Sequence, residues 1–62
     1  MSNPYVIFVG QTKDNLQPFE SAPSERDAVQ QAQQLQTMFA YTEAVYMPED
    51  DLDINVVVYT TT

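Results

Sequence analysis

The apolar positions near the start of the chain follow the pattern of a strand and a hairpin. The segment YVIFVG, residues 5–10, combines aromatic and β-branched residues and ends in glycine, which is typical of a short strand. A turn signal, KDN, follows at residues 13–15, and Leu16 and Phe19 then flank Pro18. Because proline is tolerated at a sheet edge, we predict that the chain returns as a short edge strand.

The segment SERDAVQQAQQLQTMF, residues 24–39, carries the apolar period of a helix. Ser24 and Asp27 form a start that resembles a capping box, and acidic residues in the first turn suit the positive end of the helix dipole. The apolar stripe comprises Ala28, Val29, Ala32, Leu35, Met38 and Phe39. The opposite face is glutamine, a good helix former in contact with water: Gln30, Gln31, Gln33, Gln34 and Gln36. We therefore predict a helix with one buried face.

Two further strands are predicted after the helix. YTEAVYM reads as a strand that ends before Pro48, EDDLD as a connecting loop and INVVVYTTT as the last strand. The order is ββαββ or βαββ, an α+β arrangement in which a single helix packs on one face of a small, mainly antiparallel sheet of three or four strands. A chain of 62 residues has room for one domain, so we assign residues 1–62 to a single domain.

A single helix covers one face of such a sheet, yet both faces are apolar at period two. We assign to the helix side the positions Val6, Phe8, Val45, Met47, Ile54, Val56 and Val58. The opposite face then carries Tyr5, Ile7, Val9, Ala44, Tyr46, Asn55, Val57 and Tyr59. Tyrosine is enriched at protein interfaces, so Tyr5, Tyr46 and Tyr59 are candidate partner-binding residues. Three alternatives stay open for this face: an exposed surface, a homodimer contact, or a docking site for another protein.

Composition excludes several kinds of chemistry. Cysteine and histidine are both absent, which removes disulfides and a structural zinc site, and we expect no cofactor. Without those residues no nucleophile is paired with a base, and one helix leaves little volume for a substrate pocket of about 300 Å³, so we do not expect an enzyme. The N-terminal apolar run of YVIFV is too short for a signal peptide or a membrane span, so we expect a cytoplasmic protein.

A calcium-loop register occurs near the end of the chain. Asp51, Asp53 and Asn55 follow the D-x-D-x-N pattern that opens such a loop. The sixth position, which needs glycine for its sharp turn, is Val56, and the twelfth, which needs a bidentate glutamate, is Thr62. We therefore predict no metal site.

Negative charge dominates the chain and is concentrated after the third strand. Nine acids against two bases give a formal net charge of -7, which opposes direct binding to nucleic acid or to anionic membranes. The acids at positions 49–53 would recur about every 4 Å in an extended chain, close to the ~3.4 Å spacing of phosphates along a DNA strand. No cation follows Arg26. The candidate partner-binding acids are Glu43, Glu49, Asp50, Asp51 and Asp53; the alternative is a solvated turn that protects sheet edges.

The acid cluster at 49–53 and the compact pattern from YVIFVG through SERDAVQQAQQL to INVVVY resemble the short, acidic, cysteine-free proteins that bacteriophages make to block a host enzyme, several of which imitate DNA. The resemblance implies an inhibitor, for host takeover or anti-defence, that occludes a basic surface of a nucleic-acid enzyme or transcription factor. The alternative is a structural or accessory subunit that homodimerises or docks through the tyrosine-bearing sheet face, with acids that maintain solubility.

Overall fold

The computed structural model describes residues 3–48 and 55–61, and in it one helix packs against a four-stranded antiparallel sheet. The elements in chain order are β1 (Tyr5–Gly10), β2 (Gln17–Ala22), α1 (Glu25–Leu35), β3 (Tyr41–Tyr46) and β4 (Val56–Thr60). The strands lie in the order β2-β1-β3-β4, so β2 and β4 are the two edges. The α+β class is therefore confirmed, and of the two predicted orders the structure has ββαββ.

The β1–β2 hairpin turns where the sequence predicts. The backbone N–H of Asn15 donates to the Thr12 carbonyl at 3.2 Å, and Pro18 lies in the edge strand β2. The pairing of β1 with β2 shifts register and leaves Phe19 as an extra residue in β2. A side chain at Gly10 would collide with the Asn15 carbonyl oxygen, so the tight approach of the turn to β1 explains the glycine that ends the strand.

Helix α1 starts as predicted and ends earlier. The Ser24 side chain is the N-cap and accepts a hydrogen bond from the Asp27 backbone N–H at 3.3 Å. The last helical residue is Leu35, whose carbonyl accepts from the N–H groups of both Met38 and Phe39 in the turn that follows. This turn directs Phe39 toward the core and leaves Met38 at 62% exposure, so the prediction that Met38 widens the buried stripe is wrong.

In β1 and β3 the helix covers the face opposite to the one predicted. The core under α1 consists of Ile7, Val9, Ala22, Ala28, Ala32, Leu35 and Ala44. Tyr5, Phe39, Val58 and Tyr59 pack partly against this core. The assignment of Val6, Phe8 and Val45 to the helix side is therefore wrong. Met47 comes two residues after Val45, so alternation places it on the same face as Val45. Val56, which lies opposite Tyr46, and Val58, which packs against the core, are on the helix side as predicted. Ile54 lies outside the described residues.

Small side chains explain why α1 packs on the face of the sheet that carries Ile7 and Ala44. Ala28 and Ala32 of the helix meet Ala22 and Ala44 of the sheet, and all four are completely buried. Alanine at each contact lets the helix approach the sheet closely, so that the larger Ile7 fills the space between them. The opposite face would instead have placed the Glu43 carboxylate beneath the helix, because Glu43 lies opposite Phe8 on that face.

A second irregularity changes the predicted alternation in β4. Ala44 pairs with Tyr59 and Val45 pairs with Val57, which leaves Val58 as an extra residue in β4. At such a bulge the strict alternation of side chains is interrupted. Val58 and Tyr59 both pack against the core, whereas Val57 lies opposite Val45 on the other face. The bulge therefore brings Tyr59 to the helix side, contrary to the prediction.

Candidate functional site

The acid cluster predicted as a contact, Glu49, Asp50, Asp51 and Asp53, lies outside the described residues. Its flanks do not. The Met47 backbone N–H donates to the Pro4 carbonyl at 2.6 Å, which continues the pairing of β3 with β1, and Asn55 immediately precedes β4. The chain therefore enters and leaves the acidic segment at the end of the sheet where β3 stops and β4 begins.

The first turn of the helix lies at this same end. Antiparallel pairing puts Ala22, the last residue of β2, beside Tyr5, which in turn lies beside Tyr46 at the end of β3. Helix α1 begins shortly after β2, with Glu25 and Asp27 in its first turn. The edge strands β2 and β4 are separated by three inter-strand spacings, about 14 Å in total. We call this region, formed by the α1 first turn and the flanks of segment 49–53, the acidic end.

The chain as a whole carries a large excess of acidic over basic side chains. With nine acids and two bases, seven acids remain without a counter-charge even if both bases form ion pairs. Arg26 is exposed in the first turn of α1, and Lys13 is exposed in the β1–β2 turn at the other end of the sheet. In the first turn of α1, Glu25 and Asp27 outnumber Arg26, so the formal charge of this turn is negative.

The three tyrosines predicted to bind a partner lie on the side of the sheet that carries α1. Tyr5 and Tyr46 are cross-strand neighbours with ring centroids 4.9 Å apart, and both are half-buried. The Tyr59 hydroxyl accepts a hydrogen bond from the Gln36 amide, which also donates to Thr61. The interpretation of an uncovered, tyrosine-bearing face is therefore wrong. Contact of these rings with a partner stays a prediction, limited to the parts that solvent reaches.

The other face of the sheet is not covered by α1, and we call it the uncovered face. Cross-strand pairing arranges it in two rows: Ser21, Val6, Val45 and Val57 in one, and Pro18, Phe8, Glu43 and Thr60 in the other. Val45, near the centre, is only 6% exposed, whereas Val57 on the edge strand is 50% exposed. This surface was not predicted from the sequence, although Glu43, two positions before Val45, marked the face that a helix would not cover.

A cavity of about 350 Å³ lies at the end of the sheet away from the acidic end. The volume of this cavity is larger than we expected for a domain with one helix. Its lining comprises Val9, Gly10, Gln11, Asn15, Gln17, Pro18, Phe19 and Phe39. The rings of Phe19 and Phe39 meet edge to face with centroids 5.4 Å apart. None of these side chains is an acid, a base or a thiol, so the cavity offers no group for proton transfer or nucleophilic attack.

The described residues offer neither a cluster of metal ligands nor a membrane-spanning helix. Across residues 3–48 and 55–61, no group of three or more acidic, histidine or cysteine side chains is placed to hold a metal ion. Asp51 and Asp53 of the calcium-like register lie outside these ranges. In the same part of the chain, no helix has the length and apolar character needed to cross a bilayer.

No family model matches the chain, and no curated protein or solved structure matches it either. The resemblance to phage inhibitors therefore rests on the sequence features described above.

Proposed function

We propose that this protein is an acidic binding protein that docks its acidic end on a basic, nucleic-acid-binding surface of a partner protein in the cytoplasm and blocks that surface. One observation carries the proposal: Glu25 and Asp27 of the helix lie at the same end of the small sheet as both flanks of segment 49–53. The resemblance to phage inhibitors favours a host nucleic-acid enzyme or transcription factor as the partner.

The mechanism is electrostatic attraction followed by steric exclusion. A net charge of -7 on a 62-residue chain attracts a basic surface and raises the association rate constant. The attraction acts over a Debye length of about 8 Å at physiological salt and weakens as salt is added. Once bound, the domain occupies the groove that a nucleic acid would enter, so inhibition requires no covalent chemistry.

The experiment starts with capture of partners from a lysate of the source organism, or of its host if it is a phage, at low and at high salt. The association rate of the identified partner is then measured with the wild type and with two variants of equal charge. Asp50→Asn with Asp51→Asn alters the acidic segment; Asp14→Asn with Glu20→Gln alters the β1–β2 turn and β2. Each double variant removes two of the seven excess charges, so both change the net charge from -7 to -5.

We expect the first double variant to slow association about tenfold and the second less than about twofold, because attraction depends on the distance between charges. An equal loss in both variants would show that only net charge matters and that the acidic end is not the contact. No loss in either variant would leave the acids with a role in solubility alone.

A second candidate function is an accessory subunit that docks through a sheet face, with the acids maintaining solubility. The surface that favours it is the uncovered face, with Val57 half exposed, rather than the tyrosine-bearing side that the helix covers. Molar mass measured over a range of concentrations tests the homodimer form of this function. A monomer at every concentration would contradict it.

A further inference from the structure

The uncovered face combines an apolar surface with one carboxylate inside it. Glu43 lies directly opposite Phe8 on the neighbouring strand, and Val45 follows two positions later on the same face. On the next row, Val6 and Val57 flank Val45 on either side. Phe8, Val6 and Glu43 are each half-buried, although the helix lies on the opposite side. A carboxylate is thus set among apolar side chains on a surface that still meets solvent.

This arrangement limits what can cover the face. Any occupant that packs on Phe8 and Val57 removes water from the Glu43 carboxylate as well. Burial of a carboxylate without a counter-charge is unfavourable and offsets the gain from apolar contact around it. The occupant that best fits the face therefore brings a Lys or Arg that pairs with Glu43, together with apolar side chains for the surrounding surface.

A second copy of this chain does not meet that requirement. Two uncovered faces packed together would place two copies of Glu43 in one apolar interface and bring two chains of net charge -7 together. The cations of the chain lie elsewhere, Lys13 in the β1–β2 turn and Arg26 in the first turn of α1 on the covered side. Charge complementarity therefore favours a different protein.

We propose that the uncovered face binds an amphipathic segment of a partner protein in which apolar side chains flank a Lys or Arg. The apolar side chains would pack on Val6, Phe8 and Val57, and the cation would pair with Glu43. Apolar burial supplies most of the affinity, and the single charge pair fixes the orientation of the segment. The proposal extends the proposed function to a second surface, and the two are tested by different variants: Glu43 and Val57 for this face, Asp50 and Asp51 for the acidic segment.

The test uses a display library of random linear peptides of about 14 residues, enough for a helix of about 21 Å. Selection on the wild-type protein at about 0.5 M salt suppresses the attraction that any basic peptide has for an acidic protein. We expect the selected peptides to combine apolar residues with at least one Lys or Arg. Their dissociation constants are then measured by fluorescence anisotropy with five variants of the full chain.

Two matched pairs of variants distinguish the uncovered face from the rest of the surface. Val57→Ser and Val56→Ser change adjacent valines that are 50% and 47% exposed, but Val57 lies opposite Val45 and Val56 lies opposite Tyr46, on the other side of the sheet. Glu43→Gln and Glu20→Gln remove the same charge from the uncovered face and from the edge strand β2. The fifth variant, Asp50→Asn with Asp51→Asn, reports on the acidic end.

We expect Glu43→Gln to weaken binding about tenfold and Val57→Ser about fivefold, with less than a twofold change in the other three variants. Circular dichroism confirms that each variant is folded. Equal effects within either matched pair, or selected peptides without a cation, would overturn the proposal. So would the absence of any selected binder, or a wild-type dimer that Val57→Ser dissociates. A loss confined to the Asp50 and Asp51 variant would overturn this proposal and support the acidic end.

Discussion

Ile7 and Ala44 face each other across β1 and β3, and both are completely buried beneath the helix. Their pairing shows which side of the sheet holds the core. Every second residue of β1 from Tyr5 onward therefore points toward α1, and the residues between them point to the uncovered face. The stabilities of variants on the two faces of β1 test this assignment.

Val9→Ala and Val6→Ala make the same change on opposite faces of β1. Val9 is 6% exposed within the core, whereas Val6 is half-buried on the uncovered face. We expect Val9→Ala to lower the free energy of unfolding by about 2 kcal/mol, because it leaves a cavity under the helix, and Val6→Ala to lower it by less than about 1 kcal/mol. Urea denaturation followed by circular dichroism measures both. The reverse order would place the core on the other face.

Ser24→Ala should destabilise the helix at its start. The Ser24 hydroxyl oxygen accepts the Asp27 backbone N–H, which otherwise has no partner within the first turn. We expect a loss of about 1 kcal/mol in the free energy of unfolding. Ser24→Asn provides the control because asparagine is an equally good N-cap, and it should retain wild-type stability. A loss of the same size in both variants would mean that the cap is not the cause.

Gly10→Ala should destabilise the hairpin although the backbone at Gly10 is not left-handed. The added methyl group would overlap the Asn15 carbonyl oxygen and would meet the Leu16 Cδ2 atom at 3.0 Å. Because a carbonyl in a tight turn cannot move aside without breaking the turn, we expect a loss of about 2 kcal/mol in thermal or urea unfolding. Gln11→Ala, at the exposed neighbouring position, should change stability by less than about 0.5 kcal/mol.

Gln36 and Tyr59 connect the end of the helix to β4, and a double-mutant cycle measures their coupling. The Gln36 amide donates to the Tyr59 hydroxyl, and Thr61 joins Gln36 to Thr42, which is 1% exposed, through a 3.1 Å contact between hydroxyl groups. We expect Gln36→Ala and Tyr59→Phe each to cost about 1 kcal/mol and the double variant to cost less than their sum. Strict additivity would show that the contact contributes nothing to stability.

Local features of the sequence were enough to predict most of the elements. The turn at residues 13–15 and the cap at Ser24 depend on residues within a few positions of one another, and the structure has both. The uncovered face was not found, although its signal was present in the alternation that puts Glu43 on the same side as Val45. A face with a carboxylate near its centre is a poor one to bury under a helix.

The sequence by itself determined the α+β class and the start of the helix, because strand alternation, helical period and capping are properties of neighbouring residues. It left open whether one strand or two precede the helix, and the pairing of β2 with β1 decided that. Only the tertiary structure decided which face α1 covers and how β4 is aligned. Both faces of β1 are apolar, so alternation cannot distinguish them. The choice depends on the close fit of Ala28 and Ala32 against Ala44, and on a bulge at Val58, which are contacts between residues far apart in the chain.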